Sequence, residues 1–169
     1  MEKIGTLVVY GANGVCRIDD IRTEKLGGTE RSYYVLKPTR GTGSSTIFVP
    51  TDNDALVSQM KPLLSREEAI ALFHEVAMTP DEPWIADARA RGEHYKSVLA
   101  TGKRRDILAF MRTLRIRRGE LETRGKRLCV SDETLLSRAE DIFLDEISLA
   151  FELSREEAAE MLWRELKMA

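Results

Sequence analysis

Between residues 80 and 130 the chain sets 13 basic side chains against 7 acidic ones, while residues 1–79 carry 9 against 10 and residues 131–169 carry 4 against 11. The basic stretch includes Arg89, Arg91, Lys96, Lys103, Arg104 and Arg105. Cations concentrated on one helical segment suit a phosphate-binding face, because each phosphate they neutralise releases condensed counterions. A second reading uses the same charges differently: the basic helices pair with the acidic ones that follow. The formal net charge of −2 hides this segregation.

Groups with the spacing of a catalytic site are sparse. His74 falls in a short predicted helix and His94 in the basic one, each without a ligand or nucleophile partner at a useful spacing. Gly102-Lys103 lacks the upstream glycine and the following Ser or Thr of a nucleotide-binding loop. Capping and solvation account for the carboxylates of residues 131–169. Cys16 and Cys129 show no Cys-x-x-Cys pattern and read as packing residues. No enzyme, metal or cofactor is expected. No apolar run approaches the roughly 20 residues of a membrane span. The start, Met-Glu-Lys-Ile-Gly, lacks a basic segment followed by an apolar one, so a cytoplasmic protein with no membrane partner is expected.

The elements that position these groups change character near residue 64. Gly5-Thr-Leu-Val-Val-Tyr10 and Val15-Cys-Arg-Ile-Asp-Asp-Ile21, joined by Gly11-Ala-Asn-Gly14, read as a β-hairpin, since Asn-Gly accepts the positive φ of a tight reversal. Arg31–Lys37 and Ser45–Pro50 read as further strands around a Gly41-Thr-Gly43 loop, with a last short strand near Leu56-Val57. Five or so short strands in about sixty residues predict a small SH3/Tudor-like β-barrel. Ser65-Arg-Glu-Glu68 is a capping box that opens a helix, and Thr79-Pro-Asp-Glu-Pro83 interrupts it. Helices are then predicted over Trp84–Ala100, Lys103–Thr123, from Ser131 to about Ala150, and after the second capping box Ser154-Arg-Glu-Glu157. The expected class is α+β: a β domain over 1–63, a connecting helix and linker over 64–80, and a compact all-helical domain over 81–169.

Several strings together resemble the CarD/CdnL family of bacterial transcription regulators. They are Val8-Val9-Tyr10 before its glycine turn, the strand ending Tyr34-Val-Leu-Lys-Pro38, Tyr95-Lys-x-x-Leu-Ala-Thr-Gly102 followed by Ile107-Leu108, and Ala139–Ala150. The resemblance covers nearly all of residues 1–150. It implies a barrel that binds the β subunit of RNA polymerase and a helical domain that touches promoter DNA at the upstream edge of the transcription bubble, stabilising the open complex without reading sequence. A monomer is implied as well. The same module occurs in transcription-repair coupling factors, which would add motor domains to the chain.

By this resemblance Trp84 is the residue to wedge into the minor groove, trading lost base stacking for a hold on distorted DNA. Arg89, Arg91, Lys96, Lys103, Arg104 and Arg105 would surround it as phosphate contacts. Core packing is the other reading of Trp84. Two departures from the family pattern stand out: the usual wedge position falls near Ala88, one helical turn later, and Ile85-Ala-Asp87 replaces the basic residues that follow the wedge. At the polymerase surface, the resemblance places two arginine positions of the family on Glu24 and Phe48, and the apolar contact between them on Leu26. Strand addition at an open edge needs no particular side chain, which leaves Glu24, Leu26, Thr46 and Phe48 as the docking residues. Barrel core is the other reading of Leu26, Thr46 and Phe48. The alternative function is a protein-only adaptor whose basic helices never touch DNA.

Overall fold

The structure is a computed structural model that describes residues 2–40 and 45–168. The Gly41-Thr-Gly43 loop and the Leu26 side chain lie outside the described residues. The chain divides into two compact units, Met1–Leu63 and Leu64–Ala169.

The first unit is an antiparallel sheet of five strands among the described residues: β1 (Leu7–Tyr10), β2 (Val15–Leu26), β3 (Thr29–Pro38), β4 (Ile47–Pro50) and β5 (Met60–Pro62). Their spatial order is β4-β3-β2-β1-β5. The opening hairpin forms with Leu7 opposite Arg17 and Val9 opposite Val15. Its link is a short 3-10 turn, Gly11–Asn13, flanked by the left-handed φ of +50° at Gly11 and +69° at Gly14 that glycine accepts without a Cβ clash.

The expected barrel does not close. β4 and β5 form the two edges of an open sheet and do not pair with each other among the described residues. Two features of the sequence account for this. The edge strands are only 4 and 3 residues long, and each ends in a proline that has no N–H to donate. The long strands β2 and β3 instead pair with each other as far as Leu26 opposite Thr29, bent by a register shift between Ile18 and Asp20. The strand expected at Leu56-Val57 is a single helical turn, α1 (Asp54–Val57), because the Asn53 side chain accepts the Leu56 N–H at 3.1 Å. Val8, Cys16, Ile18, Tyr34, Leu36 and Val49 form the core on one face of the sheet.

The second unit contains α2 (Arg66–Met78), α3 (Ala88–Thr101), α4 (Arg104–Glu122), α5 (Val130–Phe151) and α6 (Arg155–Glu165). Both capping boxes form, at Ser65/Glu68 and Ser154/Glu157, and the bonds from Ser65 hold the Glu68 carboxyl below its ordinary pKa. Helix α2 buries Ala69, Phe73 and Val76 in the helical core. Helix α3 starts four residues later than expected, because Asp87 caps it by accepting the Ala90 N–H at 2.7 Å, and it stops at Gly102 with φ +65°. Tyr95 of α3 stacks on Phe110 of α4, and burial pushes its hydroxyl up to about 12. Helix α4 ends in a Schellman motif: Lys126 N–H donates to Leu121 O and Gly125 N–H to Glu122 O, with Gly125 at φ +69°.

The two thiols sit in opposite environments. Cys16 is fully buried and burial pushes its thiol up to about 11, whereas Cys129 is exposed at the N-terminus of α5, against the expectation of packing. In the folded protein a thiol reagent should modify Cys129 within minutes and leave Cys16 untouched until denaturant is added. Mass spectrometry of the labelled peptides checks this, and rapid labelling of Cys16 would contradict its place in the sheet core.

Candidate functional site

Strand β4 is four residues of exposed sheet edge. The Thr51 N–H donates to Ser32 O at 3.0 Å, which makes Tyr33–Pro50 a pair without mutual hydrogen bonds. By the alternation of an antiparallel ladder, Val35–Phe48 is also such a pair, and the Phe48 N–H and C=O turn away from β3. No further strand meets them among the described residues. The Phe48 ring is 41% exposed and packs edge-on against Tyr33, with centroids 6.0 Å apart. Phe48 therefore lies outside the sheet core. Thr46 is exposed immediately before β4. Glu24 stands elsewhere: it faces Arg31 on the β2–β3 ribbon, with β3 between it and β4, and is 3.6 Å from Arg22 Nη1. Leu26 ends that ribbon, and its side chain is outside the described residues.

In the helical unit, Arg91 points inward. It is 5% exposed, and its guanidinium donates to both carboxylate oxygens of Asp132, at 3.1 Å from Nε and 2.6 Å from Nη2. Nη1 donates to the carbonyls of Ile85 and Ala86, at 2.7 and 3.3 Å. The hydrogen bonds to Asp132 raise the Arg91 pKa above its ordinary value. Asp132 is 1% exposed in the first turn of α5. The Cys129 thiol lies 3.1 Å from Asp132 Oδ2 and 3.7 Å from Arg91 Nη2.

Trp84 does not start a helix. It lies in the non-helical stretch before α3, half-buried against the helical core, with the Arg91 and Arg117 guanidinium carbons 4.2 and 5.1 Å from its ring centroid. Each such cation–π contact contributes roughly 0.5–2 kcal/mol, which favours keeping the indole where it is. Arg104 likewise turns to a buried carboxylate, donating to Glu146 at 2.7 and 3.2 Å, while the Leu64 N–H donates to the same side chain at 2.8 Å. Arg105 meets Glu75 at 2.6 Å, and Arg89 meets Glu93 at 3.3 Å on the surface. Lys96 and Lys103 are exposed.

The remaining arginines of α4 follow the same pattern. Arg112 pairs with Asp81, Arg115 with Glu140, Arg117 with Glu120 and Arg118 with Glu133. Arg115 also lies 4.0 Å from the Trp163 centroid, and burial lowers its pKa while raising that of Glu140. Sequence spacing could not identify these partners, which lie up to 42 residues away. The excess of carboxylates after residue 130 was the available signal. Among the described residues, no group of three His, Cys, Asp or Glu side chains is placed to hold a metal ion, and no helix is long and apolar enough to cross a membrane.

Compared with known families, residues 3–61 match the CarD-like/TRCF RID domain. The N-terminal sheet unit is thus a CarD-type domain, and the match ends where the sheet ends. The helical unit lies outside it.

Removing one partner of a buried ion pair leaves the other charge dry and unmatched, at a cost of about 3–5 kcal/mol. Asp132→Asn should therefore destabilise the helical unit by about that much, lowering its urea midpoint by about 1–3 M. Trp84 and Trp163 both belong to this unit, so tryptophan fluorescence reports its unfolding directly. An unchanged midpoint would show that the Arg91–Asp132 pair contributes nothing.

Proposed function

We propose that this protein is a transcription regulator that docks on the β subunit of RNA polymerase through the open β4 edge of its N-terminal sheet. Docking would bring the helical unit to promoter DNA at the upstream edge of the transcription bubble. The observation that carries this reading is the match of residues 3–61 to the CarD-like/TRCF RID domain, together with an edge strand whose Phe48 backbone groups face outward. Strand addition takes affinity from main-chain hydrogen bonds and orientation from flanking side chains. Here Phe48 would supply the apolar contact and Thr46 would flank it. Glu24, on β2 behind β3, would take no part in a strand added at β4. The DNA contact would be to the backbone and not to base edges, drawing on exposed cations that face no carboxylate.

A second reading is favoured by the ion pairing. Eight of the 13 cations between residues 80 and 130 face a carboxylate within 4 Å. A protein-only adaptor fits that pattern: its sheet unit would bind a protein partner, and it would show no salt-steep binding to duplex DNA.

Phe48→Pro is a selective test of docking. It removes an N–H that β3 does not use, so the sheet should persist while strand addition loses a donor. Its affinity for the polymerase β lobe, measured by titration calorimetry, should fall roughly tenfold or more, which is about 1.4 kcal/mol. Phe48→Ala should lose less, because it keeps the backbone donor. Equal binding by all three proteins would move the docking surface away from β4.

A further inference from the structure

The ion pairs sort the cations of the helical unit into two sets. Those on the helical stretches of α3 and α4 mostly face carboxylates, as described above. Arg124, Lys126 and Arg127, in the link between α4 and α5, are exposed and meet no carboxylate among the described residues. The same is true of Arg138, two turns into α5. Three unmatched cations in four consecutive residues form a local charge that the protein does not use internally.

The link is also held in place. The Schellman bonds to Leu121 and Glu122 fix its start, and Leu128, 6% exposed, anchors it in the helical core just before Cys129 begins α5. The cations are therefore displayed from a fixed backbone, which lowers the ordering cost of binding. Arg127 and Arg138 line one open groove of about 640 Å³, together with Val130, Thr134 and Ser137. Val130 is 82% exposed there. Glu133 is the one carboxylate on the groove, and Arg118 already faces it at 3.4 Å. Hydroxyls and guanidinium groups around an open groove whose single carboxylate already faces Arg118 suit phosphate and sugar oxygens.

We infer that Arg124, Lys126, Arg127 and Arg138 form the surface by which the helical unit holds the phosphate backbone of duplex DNA. The inference rests on the promoter-contacting reading above and moves the contact from Trp84 and α3 to the α4–α5 link.

The test uses the full chain and a fluorescent 25-base-pair duplex of arbitrary sequence, titrated by anisotropy between 50 and 200 mM salt. Four phosphate contacts give a log–log salt slope of about −3 to −4, an affinity loss of about a hundredfold over that range. The triple variant R124A/K126A/R127A should shrink the slope to about −1 and the loss to a few-fold, whereas K96A/K103A should keep the wild-type slope. R138A alone should reduce the slope by about one, and circular dichroism should show every variant folded. Wild-type slopes in the triple variant with a reduced slope in K96A/K103A would overturn the inference while keeping the DNA reading. Absence of duplex binding by the wild type would remove the DNA reading itself. In that case a loss of polymerase binding in the triple variant would assign the link to an acidic protein surface instead, which also overturns the inference.

Discussion

A carboxylate taken out of water must be matched by a cation and by hydrogen bonds, and in the helical unit that constraint acts twice along α5. Asp132 near its start takes Arg91 from α3, and Glu146 near its end takes Arg104 from α4. The two acids are 14 residues apart, close to four helical turns, so they lie on nearly the same side of α5. Each pair ties α5 to a different neighbour. Arg91 also holds the carbonyls of Ile85 and Ala86, which fixes the stretch carrying Trp84 beside α3. The position of the indole and the direction of two arginines both follow from these buried acids.

The N-terminal unit obeys a different constraint. A small sheet either closes on itself or leaves edges that must be blunted or used. Here the edges are short and end in Pro50 and Pro62, and β2 and β3 extend as a ribbon without curling to join them. A short edge strand is one of the ways a sheet blunts its open side, and β4 is four residues long. The outward Phe48 amide and ring give that edge both a hydrogen-bond donor and an apolar contact.

Much of the fold was legible in the residues. Ser-Arg-Glu-Glu appears twice and caps a helix twice, and the glycines at 14, 102 and 125 take the left-handed φ their positions need. Barrel closure was not legible, because strand count and turn signals say nothing about whether the last strand meets the first. Pro83-Trp84 resembles a helix start, yet Asp87 offers the better cap and α3 begins only at Ala88. At the site, local charge density suggested a phosphate face over residues 89–105, but density along a sequence cannot show which cations have carboxylates opposite them. Arg91 and Arg104 face acids 41 and 42 residues away. The cations of the α4–α5 link carry no periodic pattern, so nothing in the sequence alone separates them from the paired ones.

The most direct measurement is amide hydrogen exchange of the protein, read residue by residue by NMR, with and without a saturating amount of the polymerase β lobe. Phe48, whose amide points away from β3, should exchange quickly in the free protein and slow at least tenfold in the complex, while the amides of β5 are unchanged. Binding that leaves Phe48 fast and protects Met60–Pro62 or the helical unit would contradict docking through β4.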